Sequence, residues 1–330
     1  MRLLDYVSQS RAPLEVVRPG GEVFRLTAAA DFAAAVDACP LRYVLTDELA
    51  RTCAALAWSD GESLAGCLDL LRVPSERLWV EWNDAARRRG SPGDGDAADP
   101  APVLRAGALI EASRDGRSGR FRTFWTTREN PDDPLVAALE THFDFDGGLP
   151  EAGCLEALLD GALVGLPATG TDSLDPLLRC VRYRLDPSWV RYHREDRFDP
   201  ALRARVLRQS LASVAHDLPV LVALSLLLTV RGGLPAAPSN LGRLNAKRQR
   251  LGRAPLLEHV EVSVPVFRTQ TTESVPADGD WRRAPRFHHV RGHLVRRANA
   301  VFWRAPHWRG HLRLGRIRTR TVVVDSPVTH

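Results

Sequence analysis

The sequence predicts an α+β protein, and three observations carry that prediction. Stretches with apolar residues at three- and four-residue spacing fill much of the N-terminal and middle parts of the chain. Three short runs that alternate, or are rich in β-branched and aromatic residues, interrupt them near positions 78, 103 and 120. The C-terminal part is dense in arginine and again strand-like. The expected arrangement is a body over residues 1–239, with helices plus a small antiparallel meander, followed by a basic β-rich Arg/His/Trp segment over residues 240–330.

A short strand, Glu22–Thr27, is followed by Ala28–Cys39 and Thr46–Trp58, both of helical composition. Thr46 and Asp47 stand before Glu48 as N-terminal capping signals. A third short helix, Gly61–Leu71, must end before Pro74. In Leu78–Trp82 (LWVEW) the alternation puts Trp79 and Glu81 on one side and Leu78, Val80 and Trp82 on the other. Val103–Ala112 and Arg120–Thr127 are two more strands, joined through the turn signal DGRSG, and the three runs form an antiparallel meander. Between the first and second lies Arg87–Pro102, rich in Gly, Asp, Ala and Pro, which reads as a flexible surface insert.

From Glu129 to Leu178 there are 11 acidic residues and no Lys or Arg. The interleaved Leu135, Leu139, Leu155, Leu158 and Leu159 predict short amphipathic helices with acidic outer faces. This region is either a solvated surface or a mask that docks on the basic C-terminal segment. Asp144 and Asp146 in HFDFDGG lack the downstream spacing of a calcium loop. Pro200–Val230 is the strongest helical stretch, with Leu202, Val206, Leu207, Leu211 and Val214 in register and Pro219 dividing it. Asn240–Pro255 is a basic linker or short helix, Leu256–Phe267 an apolar strand and Arg268–Asp280 a polar loop. Phe287–Val295, Ala300–Arg304 and Leu314–Val324 are strands, with RRANA as a turn.

Charge is distributed unevenly. The chain of 330 residues has a net charge of +5, but residues 240–330 carry 18 Lys+Arg against 6 Asp+Glu, while the rest carries an acidic excess. Such asymmetry speaks about partners rather than fold. Lysine occurs once, at Lys247, so nearly all of this charge is guanidinium, whose planar fork suits phosphate and stacks on aromatic rings. Five scattered cysteines without a CxxC pair exclude a disulfide framework and a cysteine zinc site, and fit reduced thiols. The N-terminus, MRLLDYVSQSR, lacks the apolar core of a signal peptide, and the longest apolar run, Leu218–Val230, is short of the roughly 20 residues of a membrane span. A cytoplasmic protein with no membrane partner is expected.

Within Trp281–Arg320 there are 12 arginines, five histidines, three tryptophans and no acidic residue. Aromatics interleaved with arginines on strands meet two needs of nucleic-acid binding, phosphate neutralisation and base stacking. Arg291, His293, Arg296, Arg297, Trp303, Arg304, His307, Trp308 and Arg309 are the candidate contacts, with DNA and RNA both open. The bland reading makes the tryptophans core and the arginines solubilising. His289/His293 and His307/His311 have His-x3-His spacing, which on a helix would suit zinc. Gly292, Pro306 and Gly310 argue against helices, and strand positions four apart lie about 13 Å from each other, so no metal or other cofactor is expected. Two alternatives stay open: a metal-independent ribonuclease or toxin using His289, His293 or His307, and an interaction module docking on an acidic protein partner. No catalytic residue is assigned.

LNAKRQRLGRAPLLEHVEVSV, HHVRGHLVRR, VFWRAPHWRG and LGRIRTRTVVV together resemble the C-terminal ends of uncharacterised phage- and prophage-encoded proteins, which share a His-x-x-Arg-Gly-His element followed by Pro-His-x-Arg-Gly. LRVPSERLWVEW resembles their N-terminal part, and Leu294 departs from the pattern, where an aromatic is more usual. The resemblance implies a mobile-element setting and no mechanism. By that resemblance Arg291, Gly292, His293, Pro306, His307, Arg309 and Gly310 are the positions to probe.

Overall fold

The computed structural model describes residues 1–10, 15–17, 23–25, 29–59, 61–90, 103–150, 153–165, 175–194, 200–215, 217–230, 234–264, 286–290, 293–297, 300–304, 307–309 and 311–316. In chain order the first unit comprises α1 (Leu3–Gln9), β1 (Glu15–Val17), β2 (Val23–Arg25), α2 (Ala29–Asp37), β3 (Leu41–Leu45), α3 (Asp47–Ser59) and α4 (Gly61–Ala65). There follow β4 (Arg77–Asn83), α5 (Asp84–Arg88), β5 (Val103–Ala112), β6 (Ser118–Thr127) and β7 (Leu135–Asp144). The unit is completed by α6 (Asp175–Leu178), β8 (Val181–Leu185), α7 (Pro187–Arg194), α8 (Pro200–Ala215), α9 (Leu218–Thr229), β9 (Ala236–Pro238), α10 (Gly242–Arg250) and β10 (Val260–Val262). The fold is α+β, as the sequence predicts.

The meander is present and forms the centre of something larger. β4, β5 and β6 pair antiparallel with the predicted order, and the sheet runs β2-β1-β7-β6-β5-β4-β3-β10-β9, with β8 also paired to β7. The predicted small sheet is therefore a mixed, ten-stranded one. Two of the extra strands hid for identifiable reasons. LRYVL, which is β3, is only five residues long between two helices, and its parallel pairing with β4 and β10 is non-local. β7 was expected to be helical because Leu, Ala and Glu favour helices. Its own alternation decides otherwise, with Leu139, Thr141 and Phe143 buried and Glu140, His142 and Asp144 partly exposed. Pairing with β6 on one side and β8 on the other overrides the propensity. Leu155, Leu158 and Leu159 lie in a 3-10 turn, so among the described residues the acidic region holds strand β7, this turn and the four-residue α6 rather than a set of amphipathic helices.

The two sheet faces bury different material. Trp79, Glu81, Gly107 and Phe124 share the face under α1 and α2, where Phe32 meets Phe124 edge-on at 5.2 Å and Trp79 lies 5.6 Å from it. Gly107 is needed there, since a Cβ would come within 2.8 Å of the Trp79 ring. Leu78, Val80 and Trp82 point to the other face, where α3 packs on α9 and α8 lies against β7. α9 is apolar apart from Ser225 and Thr229 and is buried over Val220–Leu227, with Pro219 in its first turn, where its missing N–H costs nothing. No helix among the described residues is long and apolar enough to cross a membrane.

Buried charge ties the layers together. Glu81 has no exposed surface and accepts the backbone N–H groups of Leu3 and Leu4 at 3.0 Å each, with Arg105 at 3.2 Å. One carboxylate thus satisfies the open N-terminus of α1 and fixes that helix to the sheet. Arg117, just after the β5–β6 turn, donates to the carbonyls of Asp69 (2.8 Å) and Leu71 (3.0 Å) and pairs with Asp146. Gly116 in that turn has φ +72°, and a Cβ there would lie 2.3 Å from the Val73 carbonyl oxygen.

Compact packing divides the chain after Val264 rather than at residue 239. β10 is short, Val260–Val262, and it is a strand of the main sheet, so residues 240–264 belong to the body despite their charge. Of the predicted insert, Arg87 and Arg88 close α5, and 91–102 lie outside the described residues, as does the predicted polar loop at 268–280.

Candidate nucleic-acid interface

The second unit contains β11 (Arg286–Val290), β12 (His293–Arg297), β13 (Ala300–Arg304), β14 (His307–Arg309) and β15 (His311–Arg316). Phe287–Val295, expected as one strand, is two strands in different pairings: β11 lies between β14 and β15, and β12 pairs with β13. Gly292 lies outside the described residues. The RRANA turn joins an antiparallel hairpin with Arg297 opposite Ala300. Leu314–Val324 is described only as far as Arg316, within β15.

The strand register brings some candidate residues together and separates others. His293 stands opposite Arg304, Leu294 opposite Trp303, and Arg296 opposite Val301. On the second pair, His288 is opposite Arg309, His289 opposite Trp308, and Val290 opposite His307. Directly opposed positions in an antiparallel pair have Cβ atoms about 5 Å apart. Two cross-strand His–Arg pairs result, His293/Arg304 and His288/Arg309. Arg296, Arg297, Arg304 and Arg309 are exposed, while His293 and Trp303 are half-buried. Arg291 lies outside the described residues. Among the described residues no two histidines are direct cross-strand partners, and no group of three or more His, Cys, Asp or Glu side chains is placed to hold a metal ion.

The pairing was not legible in the sequence, because it depends on which strands are neighbours. It also sorts the aromatics. Phe302, two positions before Arg304 on β13, shares a side with the His293/Arg304 pair, whereas Trp303 lies on the other side with Leu294 and the buried Val301. Phe302 is thus the better placed stacking surface beside the pair. The His288 imidazole donates its Nδ1–H to the Arg286 carbonyl at 2.7 Å. Residues 281–324 contain no Asp or Glu.

The body holds charged clusters too, and their chemistry is structural. On the open end of the α1/α2 face, Glu140 is approached by Arg184 (2.7 Å), Arg120 (3.3 Å), Arg122 (3.8 Å) and the His142 imidazole (2.5 Å). Burial opposes ionisation of Glu140, but His142, Arg122 and Arg120 outweigh it and hold the carboxyl down to about 2. A carboxylate so firmly ionised is no general acid or base near neutrality. With Arg120 also bound to Glu111 at 2.8 Å and Arg122 to Asp186 at 2.8 Å, the acids of this face are matched by arginines of the same sheet. Glu140 and Asp146, part of the predicted acidic mask, already have arginine partners within the body. The thiols of Cys39, Cys53 and Cys180 are raised by burial, Cys39 to about 11, which removes them as nucleophiles.

The chain matches no protein-family model, no curated protein and no solved structure.

Proposed function

We propose that this protein binds nucleic acid through its C-terminal unit. The observation that carries the reading is the pair of cross-strand His–Arg couples, His293/Arg304 and His288/Arg309, in a segment with 12 arginines and no carboxylate between residues 281 and 324. Each couple presents a guanidinium fork and an imidazole from adjacent strands, which together match the oxygens of one phosphate. Exposed Arg296 and Arg297 extend the positive surface, and Phe302 supplies an apolar ring beside the first couple. Arg291, His307 and Trp308 remain candidates by sequence alone. The mobile-element setting rests on the resemblance of HHVRGH and PHWRG to phage-encoded proteins.

The test is binding of the full chain to labelled single-stranded DNA, duplex DNA and RNA at two salt concentrations, beside an Arg297→Ala/Arg304→Ala/Arg309→Ala variant. Each phosphate contact adds roughly 0.7 to 0.9 to the slope of log affinity against log salt. Loss of three contacts is expected to flatten that slope by about 2 and weaken binding at least tenfold at low salt. No binding by the parent chain, or equal binding and slope in the variant, refutes the reading. Cleaved product that disappears in His293→Ala would replace it with a nuclease.

A further inference from the structure

We infer that α10 is a second nucleic-acid contact, on the body of the protein, and that its ligand is B-form duplex DNA. The inference rests on nucleic acid being the ligand class proposed above, but not on the C-terminal strands being the surface.

Helix α10 buries no residue, whereas α2, α3, α7, α8 and α9 each bury at least one, among them Val36, Leu49, Trp189, Leu207 and Val220. Nine residues are too few for a helix to be stable in water without packing. This one is held by the segment that follows it, which is itself tied to α1. The Asn245 side chain donates to the Leu256 carbonyl at 3.0 Å and accepts the Leu256 N–H at 2.8 Å. Arg248 Nε donates to the Ala254 carbonyl at 2.7 Å, Gln9 donates to the Pro255 carbonyl at 3.2 Å, and the Leu257 N–H donates to Asp5 at 2.8 Å. The helix is therefore a fixed projection between edge strand β9 and β10, not a frayed linker.

The projecting face is basic. Arg243, Lys247 and Arg250 recur at positions i, i+4 and i+7, so they form one stripe that rises about 10 Å along the axis. All three are exposed, and none forms an ion pair among the described residues. Residues 240–257 contain no Asp or Glu. The helix dipole accounts for cations in the last turn, Lys247, Arg248 and Arg250, but it disfavours Arg243 in the first. A residue that costs the helix stability, on a helix that contributes nothing to the core, points to a ligand. Leu244 and Leu251, 46% and 60% exposed, flank the stripe with Gln249.

The shape selects the duplex. A single helix is about 10–12 Å across and fits a B-DNA major groove about 12 Å wide, where its arginines can reach phosphates or guanine edges, glutamine can reach adenine, and leucine can meet thymine methyls. The major groove of A-form RNA is deep and too narrow for side chains to read, so duplex RNA is the matched control.

The experiment compares the full chain with Arg243→Ala/Lys247→Ala/Arg250→Ala, using a 20-base-pair DNA duplex, the same sequence as duplex RNA, a single-stranded 20-mer, and vesicles containing phosphatidylserine. Every substituted side chain is exposed, so circular dichroism and thermal unfolding should match the parent. A loss of at least tenfold on duplex DNA, with less than a threefold change on duplex RNA and the single strand, is the expected result. Parent-like duplex DNA binding by the variant overturns the inference, as does an equal loss on all nucleic acids or a vesicle affinity lost in parallel. If the C-terminal triple variant is affected and this one is not, only this inference fails. The reverse pattern refutes the C-terminal reading and leaves α10 standing.

Discussion

Replacing Glu81 with alanine tests whether a single buried carboxylate holds the N-terminal helix to the sheet. Glu81 has no exposed surface, and its two oxygens accept different N–H groups, Oε1 that of Leu3 and Oε2 that of Leu4, each at 3.0 Å. Hydrogen bonds to charged groups contribute about 1.5–3 kcal/mol apiece, and the N–H groups left behind are themselves buried, so the loss is roughly 4 kcal/mol. For a unit of this size each kcal/mol moves the melting temperature by about 2–4 °C, which places the expected drop near 10 °C. Glutamine is not a mild substitute, because its amide NH2 would face one of the two N–H donors it must satisfy. Glu111→Ala is the contrast. Glu111 also binds arginines, Arg77 and Arg120, but all three side chains are at least 31% exposed, and such pairs contribute about 0.2–1 kcal/mol. The measurement is urea unfolding of the three variants and the parent, followed by far-ultraviolet circular dichroism. If Glu81→Ala is no less stable than Glu111→Ala, the assignment of Glu81 as the tie between α1 and the sheet is wrong.

Asp217 leads to a pH prediction. Burial pushes its carboxyl up to about 7, with Asp84 adding to the rise and Arg87 and the Thr123 hydroxyl opposing it. The folded state therefore keeps a proton that the unfolded chain has released, so this group's contribution is greatest below about pH 4 and falls as pH rises toward 7. Asp217→Asn should flatten that dependence and gain about 4 kcal/mol at most over the parent at pH 8, read from unfolding midpoints at pH 5 and 8; an unchanged profile would refute it. Gly116→Ala should destabilise the turn between β5 and β6 by about 1–3 kcal/mol, since its positive φ and the Val73 carbonyl both exclude a Cβ; a midpoint within error of the parent would show that the turn relaxes freely.

Local patterns were readable without the structure. The alternation in LWVEW, the DGRSG turn, the capping signals at Thr46 and Asp47 and the proline in the first turn of α9 each depend on residues within one or two turns of each other, and each appears close to its expected place. The crowding of arginine toward the C-terminus was equally plain, because charge is a sum that needs no geometry. What the sequence could not decide were choices made by distant partners. Leu-, Ala- and Glu-rich β7 became a strand because β6 and β8 offered it hydrogen bonds, and β10 joined the body because β3, more than 200 residues earlier, lay free to pair with it. Glu81, half a strand of sequence from nothing in particular, became a helix anchor only when α1 was folded over it. The candidate site divides in the same way. Its composition was determined by the sequence alone, whereas the opposition of His293 to Arg304 and of His288 to Arg309 was decided by strand register, which a local pattern does not specify when the pairing is between separate strands.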